Sequence, residues 1–169
     1  MRLEELAAAR RTHKAFGAEP LSRETLLELL AVARLAPTHH LNQPWRFRAL
    51  GPAATAELKQ AAGEKEAAKL DRAPTLVVVS AVLTGELTMD EEDVCATAAA
   101  TMLVLLAATE RDIATYWRTP QVLRTKLGRD AVGIVPGERC LGLLHFGSAV
   151  REPAAREREP VESYVEFLP

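Results

Sequence analysis

The segment RRTHKAF, Arg10 to Phe16, sets Arg10, Arg11, Thr12, His13 and Lys14 side by side, so three cations, a hydroxyl and an imidazole share about one turn of chain. The chemistry such a set offers is anion capture. A guanidinium holds two phosphate oxygens through parallel hydrogen bonds, and a threonine hydroxyl adds a third donor. A solvated basic face uses the same residue types, so the pattern alone leaves both readings open. Two further polar clusters stand apart from it: Thr38-His39-His40-Leu41-Asn42-Gln43, and Arg156-Glu157-Arg158 near the C-terminus. Two of the three clusters are cationic in a chain whose formal net charge is -2. A localised anion explains that better than general attraction to polyanions, and nucleic acid is not an expected partner.

Familiar phosphate cradles and catalytic signatures are missing. The chain has no G-x-x-x-x-G-K-[ST], no G-x-G-x-x-G after a strand, no G-x-S-x-G and no H-E-x-x-H. His39 and His40 are adjacent, and neighbouring side chains in an extended loop diverge, so no metal is expected. Cys95 and Cys140 lie in apolar stretches without C-x-x-C spacing and read as buried free thiols. The N-terminus carries glutamates where a signal peptide needs an unbroken apolar run, which predicts a cytoplasmic protein.

The elements that must position these residues follow from periodicity. A chain of 169 residues and 48% hydrophobic composition suits one domain, spanning 1–169. Residues 2–10 read as a short helix, and a second begins at Ser22 as N-cap and stops at Pro37. WRFRAL (45–50) alternates as a half-covered strand, and TLVVVSAV (75–82) is a β-branched interior strand. Between them lies an alanine-rich helix that Gly63 interrupts. GELTMDEEDV reads as an acidic loop leading into Val94–Thr109, an apolar helix too short for the roughly 20 residues a bilayer requires. A helix apolar all round must be covered all round, and a second subunit is one way to do it; a charge placed at Leu105 is expected to disturb dimerisation or folding. IATYW, TPQVLRTKLG and RCLGLLHFGS supply a strand, a short helix and a last central strand. The charged tail ends in Tyr164, Val165, Phe167 and Leu168, which predicts docking. The order of elements is α+β.

RRTHKAF followed by LAPTHHLNQPWRF resembles the opening of the nitroreductase family, flavoproteins in which an R-R-S-x-R/K-x-F segment precedes A-P-S-x-x-N-x-Q-P-W-x-F. YWRTPQVLRTKLG, then CLGLLHFGS, is similar to that family's flavin-contacting strand, helix and final strand. REREP stands where relatives carry a basic tail motif. The resemblance spans nearly the whole chain, strongest at its ends and weakest over 51–113. Thr12 stands for the usual serine, Leu35 for a frequent arginine, and the 84–93 linker is short where larger relatives carry covering helices.

The resemblance implies a nitroreductase-like fold, a central, mainly antiparallel sheet flanked by helices in an intertwined homodimer. It implies FMN as cofactor, with Arg10, Arg11 and Thr12 at the phosphate and Lys14 nearer the pyrimidine edge. Thr38 and His39 would reach a flavin from the partner subunit, and Asn42 would contact it or fix the loop. Trp117, Arg118 and Thr119 would lie along the ring, and Arg156 and Arg158 would return to the phosphate. The implied activity passes hydride from NADH or NADPH through the flavin to an electron-poor small molecule such as a nitroaromatic or quinone, with no side-chain acid or base. The alternative is a flavin- or ligand-binding module with little turnover.

Overall fold

The unbroken β-branched run of 75–82 becomes the strand on which every layer packs, because side chains on both of its faces are apolar and both faces must be covered. In the computed structural model, which describes residues 2–169, the elements run α1 (Leu3–Ala9), α2 (Arg23–Ala31), β1 (Trp45–Ala49), α3 (Pro52–Ala62), α4 (Glu64–Leu70), β2 (Thr75–Val82), α5 (Leu87–Glu110), β3 (Ala114–Arg118), α6 (Lys126–Ala131) and β4 (Glu138–Gly147). Short 3-10 turns fill Val32–Leu35, His39–Leu41, Gln121–Arg124 and Val161–Ser163. The sheet order is β1-β2-β4-β3 and every pairing is antiparallel.

Period-2 alternation sends β2 and β4 side chains to two separate cores. On one face Val77, Val79, Leu144 and Phe146 meet Leu26 and Leu29 of α2 and Ala100, Val104 and Leu105 of α5. On the other, Leu76, Val78 and Leu143 meet Leu58 of α3, Leu70 of α4 and the Val122–Leu123 turn. Local signals set the boundaries. Ser22 Oγ accepts the Thr25 N–H at 3.1 Å at the start of α2. Gly63, at φ 71°, breaks α3 from α4 where a Cβ would be strained.

The bulge in β4 bears on function. Val79 pairs with Gly142 and Ser80 with Cys140, which leaves Leu141 unpaired in the ladder. Its carbonyl accepts Trp117 Nε1–H at 3.1 Å. Gly142, at φ 142°, lies so close to β3 that an added Cβ would meet the Trp117 indole nitrogen at 2.8 Å. The bulge is therefore locked to the end of β3.

Two expectations about the elements need correction. GELTMDEEDV is not a loop: α5 begins at Leu87, because Glu86 caps the Thr88 and Met89 N–H groups at 3.2 and 2.8 Å. Acidic residues suit the positive end of a helix dipole, and this run serves as a cap. TPQVLRTKLG is split into a 3-10 turn and α6, with Thr125 accepting the Gly128 N–H. The tail lies exposed on its own chain, with Tyr164 72% and Phe167 93% exposed; the docking expected of it is on a neighbouring subunit.

At 24 residues α5 is long and apolar enough to cross a membrane by length and composition. Its buried side is instead the wall of the α2-facing core. Leu105 belongs to that wall, at 4% exposure, and is not an outward interface residue. The outward stripe is Cys95, Ala98, Ala99, Met102 and Leu106, spaced i, i+3, i+4, i+7 and i+11 and left exposed or half-buried. Cys95 is thus an exposed thiol; Cys140 is partly buried, and both are free.

Candidate active site

The basic segment follows α1 directly and is held against the sheet by main-chain bonds. The His13 N–H donates to Thr115 O at 2.9 Å, Phe16 bridges Ala149, and the Gly17 N–H donates to Ser148 O at 3.0 Å. A Cβ at Gly17 would meet Ser148 Oγ at 2.3 Å, a contact that rotation of the exposed serine would relieve. The buried His13 ring lies 3.4 Å from Glu152. Residues 13–17 and 148–152 therefore meet where β3 begins and β4 ends. Among the described residues no carboxylate pairs with Arg10, Arg11 or Lys14. Thr12 and Lys14 are exposed and Arg10 half-buried. Arg11 is bent back, its Nη1 donating to Ala8 O and, at 3.2 Å, to Arg10 O, so it closes the last turn of α1. Its Nε is buried without a partner.

From this basic end β3 runs to Trp117, Arg118 and Thr119. Thr115 to Thr119 is four strand residues, about 13 Å. Trp117 is half-buried against the α5 core and tied to the bulge. Thr119 is exposed at the mouth of a cleft of about 410 Å³ that Val94, Pro120, Leu141 and Gly142 also line. The Arg118 side chain turns to the opposite face of the sheet and donates to Glu66 of α4. Burial pulls its guanidinium below the ordinary value. The ring contact expected of this segment is a backbone one, and the Arg118 side chain is engaged behind β3.

Behind β3, His145 lies fully buried between Phe16 and Tyr116, with ring centroids at 6.3 and 5.5 Å. Neither ring nitrogen has a partner. Burial first, then the charges of Arg118 and Arg72, pull its pKa down to about 3, so the ring is neutral at physiological pH.

The loop after α2 is held to α5. Thr38 Oγ1 donates to Asn42 Oδ1, and Asn42 Nδ2 donates to Asp93 Oδ1 at 2.6 Å. His39 Nδ1 stands 3.2 Å from Glu92. His40, Leu41 and Gln43 all have positive φ, a cost of about 1 kcal/mol or more each that these anchors offset. Asn42 is therefore a loop-fixing residue, one of the two roles expected of it. Counted back from Pro44-Trp45, the asparagine of the family pattern falls on Leu41, which is exposed. Asp93 to the C-terminal end of α5 is 17 helical residues, about 25 Å. In one protomer the loop thus lies at the far end of β3 from the basic segment and cannot share a phosphate with it.

The tail leaves the His13–Glu152 contact and runs out exposed, and neither Arg156 nor Arg158 makes a hydrogen bond or ion pair among the described residues. The tail as far as Glu152 joins the basic end.

The family model described as "Nitroreductase family" matches residues 7–148. The chain belongs to the nitroreductase family. A Bacillus subtilis (strain 168) protein, YfhC, whose name assigns it provisionally to the NAD(P)H nitroreductases, is 22% identical over 94% of this chain and 90% of its own. The nitroreductase-like family protein of Bacillus cereus superposes with a TM-score of 0.90 at 23% identity, covering 99% of this chain and 96% of that one. The NADPH:FMN oxidoreductase of Vibrio harveyi, complexed with NAD+, superposes with a TM-score of 0.83 at 17% identity, over 97% and 76% of the two chains. At those identities the structures establish the nitroreductase-like fold, in agreement with the architecture expected from sequence.

Sequence reasoning missed Asp93, Glu66 and His145 in this member of the family. Asp93 and Glu66 sit within ordinary-looking acidic runs, and nothing in a single sequence marks which carboxylate turns inward. His145 lies in an apolar strand pattern, and that position was a usable signal: a lone histidine in a buried run is buried too.

Proposed function

We propose that this chain is an FMN-dependent oxidoreductase using NADH or NADPH and acting on an electron-poor small molecule. Membership of the nitroreductase family supports an oxidoreductase, and the name of the YfhC relative supports NAD(P)H as donor. The observation that carries the cofactor reading is the separation of donor types along β3. Cations with no carboxylate partner among the described residues stand at its start, and the exposed Thr119 stands past its other end about 13 Å away, a span that suits a phosphate joined to a flavin through a ribityl chain. The orphaned Arg11 Nε, buried next to Arg10, adds a donor that an anion would satisfy. The donor set fits FMN.

When bound, FMN supplies the two-electron relay between nicotinamide and acceptor. The protein's part is to hold and orient. Arg10, Thr12 and Lys14 bind the phosphate and its neighbouring atoms. The backbone of Trp117, Arg118 and Thr119, clamped by the Leu141 bulge, would hold the ring. Val94 and Leu141 give that end an apolar wall that limits water. The reaction calls on no side-chain base: His145 is kept neutral behind the sheet, and burial pushes the Cys140 thiol up.

The functional unit we propose is a homodimer. The stripe Cys95, Ala98, Ala99, Met102 and Leu106 needs a cover that its own chain does not supply, and Phe167 and Leu168 are 93% and 79% exposed on the tail. A second copy accounts for both. In such a pair Thr38 and His39 of one copy would reach the flavin of the other, as the family resemblance implies, and Arg156 and Arg158 would return to a phosphate from the tail. The absorption spectrum of the purified protein and its anaerobic bleaching by NAD(P)H test the reading. Oxidised-flavin absorbance with bleaching is expected. Flavin that dithionite reduces and NAD(P)H does not would leave only a flavin-binding module.

A further inference from the structure

Two arginines that the phosphate site does not use, Arg124 and Arg139, both line the cleft at the end of β3. They come from different elements: Arg124 from the 3-10 turn before α6, Arg139 from the start of β4, where the bulge turns the strand. Neither has an ion-pair partner among the described residues, and the cleft wall contains no aspartate or glutamate. The contrast with Glu138, the neighbour of Arg139, is instructive. Glu138 turns away and is bonded by Arg48 Nη2 at 2.6 Å and Ser80 Oγ at 2.5 Å. The carboxylate that could have neutralised the cleft is taken up elsewhere. Cys140 beside it stays a neutral thiol because burial raises its pKa.

A concave wall with one sign of charge focuses the field within it and raises the local concentration of the opposite charge. About 410 Å³ holds a single-ring aromatic molecule. Thr119 stands on the same wall, so a ring placed there adjoins the end of β3 where the flavin ring is assigned. We infer that this cleft selects acceptors that carry an anionic group, an aromatic or quinonoid ring bearing a carboxylate or sulfonate, with Arg124 and Arg139 as specificity-determining residues. This rests on the assignment of the ring end to Trp117–Thr119. The two cations bind the acceptor's anion, and the apolar side of Val94 and Leu141 packs on the ring.

The test compares 4-nitrobenzoate with nitrobenzene as acceptors of the flavin-loaded protein, and benzoate with benzamide by calorimetry on the protein as purified. The expected kcat/KM ratio favours nitrobenzoate by about tenfold or more at low salt, the size of one charge-assisted contact, and falls as salt is raised. The double substitution Arg124→Ala with Arg139→Ala brings the ratio near one, while Arg124→Lys with Arg139→Lys keeps most of it. Benzoate binds more tightly than benzamide, and the alanine pair abolishes that difference. A ratio near one in the unsubstituted protein, or one that survives the alanine pair, overturns the inference. So does a loss confined to the KM of NADPH, because the anion recognised is then the dinucleotide's phosphate. Binding of benzoate over benzamide in a protein that holds no flavin would sustain the cleft and sink the proposed reaction, so the two failures are distinguishable.

Discussion

Behind β3, Arg118 donates to Glu66 and its side chain is 10% exposed, whereas at the start of the same strand Arg10 and Lys14 have no carboxylate partner. The same division recurs at the other end of β4. Arg48 is bonded to Ser80 at 2.8 Å and to Glu138, while Arg139 faces an open cleft. Burial pushes Glu138 up, and the bonds from Arg48 and Ser80 with the charges of Arg48 and Arg46 outweigh it, so its carboxyl lies below the ordinary value. The difference teaches how one residue type serves two ends. Desolvated arginines are paired because an isolated buried charge is costly, and those retained for a ligand stay at the surface, where water holds them until the ligand arrives.

That contrast breaks most sharply on the ligand side. Replacing Arg10 and Lys14 together by alanine removes two charge-assisted bonds, about 3–6 kcal/mol of FMN affinity. The folding stability of the flavin-free protein changes by less than about 0.5 kcal/mol, because neither cation has a protein partner to lose. Fluorescence titration with FMN and urea unfolding measure the two quantities. Retained stoichiometric flavin removes these residues from the phosphate site.

On the paired side the ordering reverses. Glu66→Ala leaves Arg118 buried without its partner and costs about 3 kcal/mol of stability, toward the lower end for such pairs because Glu66 is itself 19% exposed. Joint replacement of Glu66 by glutamine and Arg118 by methionine costs less than the single change. Urea midpoints decide it: equal costs for the single and joint variants would mean the pair is only a surface contact.

Much of this division was beyond the sequence, and the reasons are physical. Strands, the Ser22 cap and the Gly63 break were legible because they depend on local periodicity and on backbone torsion, which neighbouring residues determine. Arg10–Lys14 were legible as a cluster because the motif is contiguous. The engagement of Arg11 with the end of α1 and of Arg118 with Glu66 was not, since it depends on partners 3 and 52 positions away that no pattern ties to them. Likewise the acidic run before Val94 was read as loop because its composition is polar, although charge placed against a helix dipole stabilises a helix start. Leu105 reads as covered either by its own chain or by a partner because α5 is apolar all round, and only packing distinguishes its inner from its outer side.

The pocket behind β3 gives a smaller, pH-dependent effect. His145 has an ordinary pKa of 6.5 and one of about 3 in the fold. Between those values the unfolded chain takes up a proton that the native state refuses, so stability falls as pH drops through that window. The slope from this residue reaches about 1.4 kcal/mol per pH unit at most and vanishes above neutrality. His145→Phe should flatten the acid side of a stability profile measured from pH 7 to pH 4, with the remaining slope due to carboxylates. A profile of unchanged steepness would mean that the native ring is protonated in the same range as the unfolded one.

The gentlest test concerns the loop that belongs to neither class, since Asn42 is polar, exposed and yet fixed. Asp93→Leu removes the acceptor of Asn42 Nδ2 and costs about 1 kcal/mol, because the released amide returns to water instead of being stranded. The positive-φ residues His40, Leu41 and Gln43 then lose the restraint that holds them in an unfavourable region, and the amides of 39–43 exchange faster with solvent. Because the loop lies about 25 Å along α5 from the basic segment, FMN phosphate affinity should change far less than it does in the Arg10 and Lys14 pair. Hydrogen exchange and FMN titration on the same variant separate the two ends of the site: fast exchange with near-normal affinity fits a loop confined to the ring end, and a large loss of affinity would place Thr38–Asn42 at the phosphate after all.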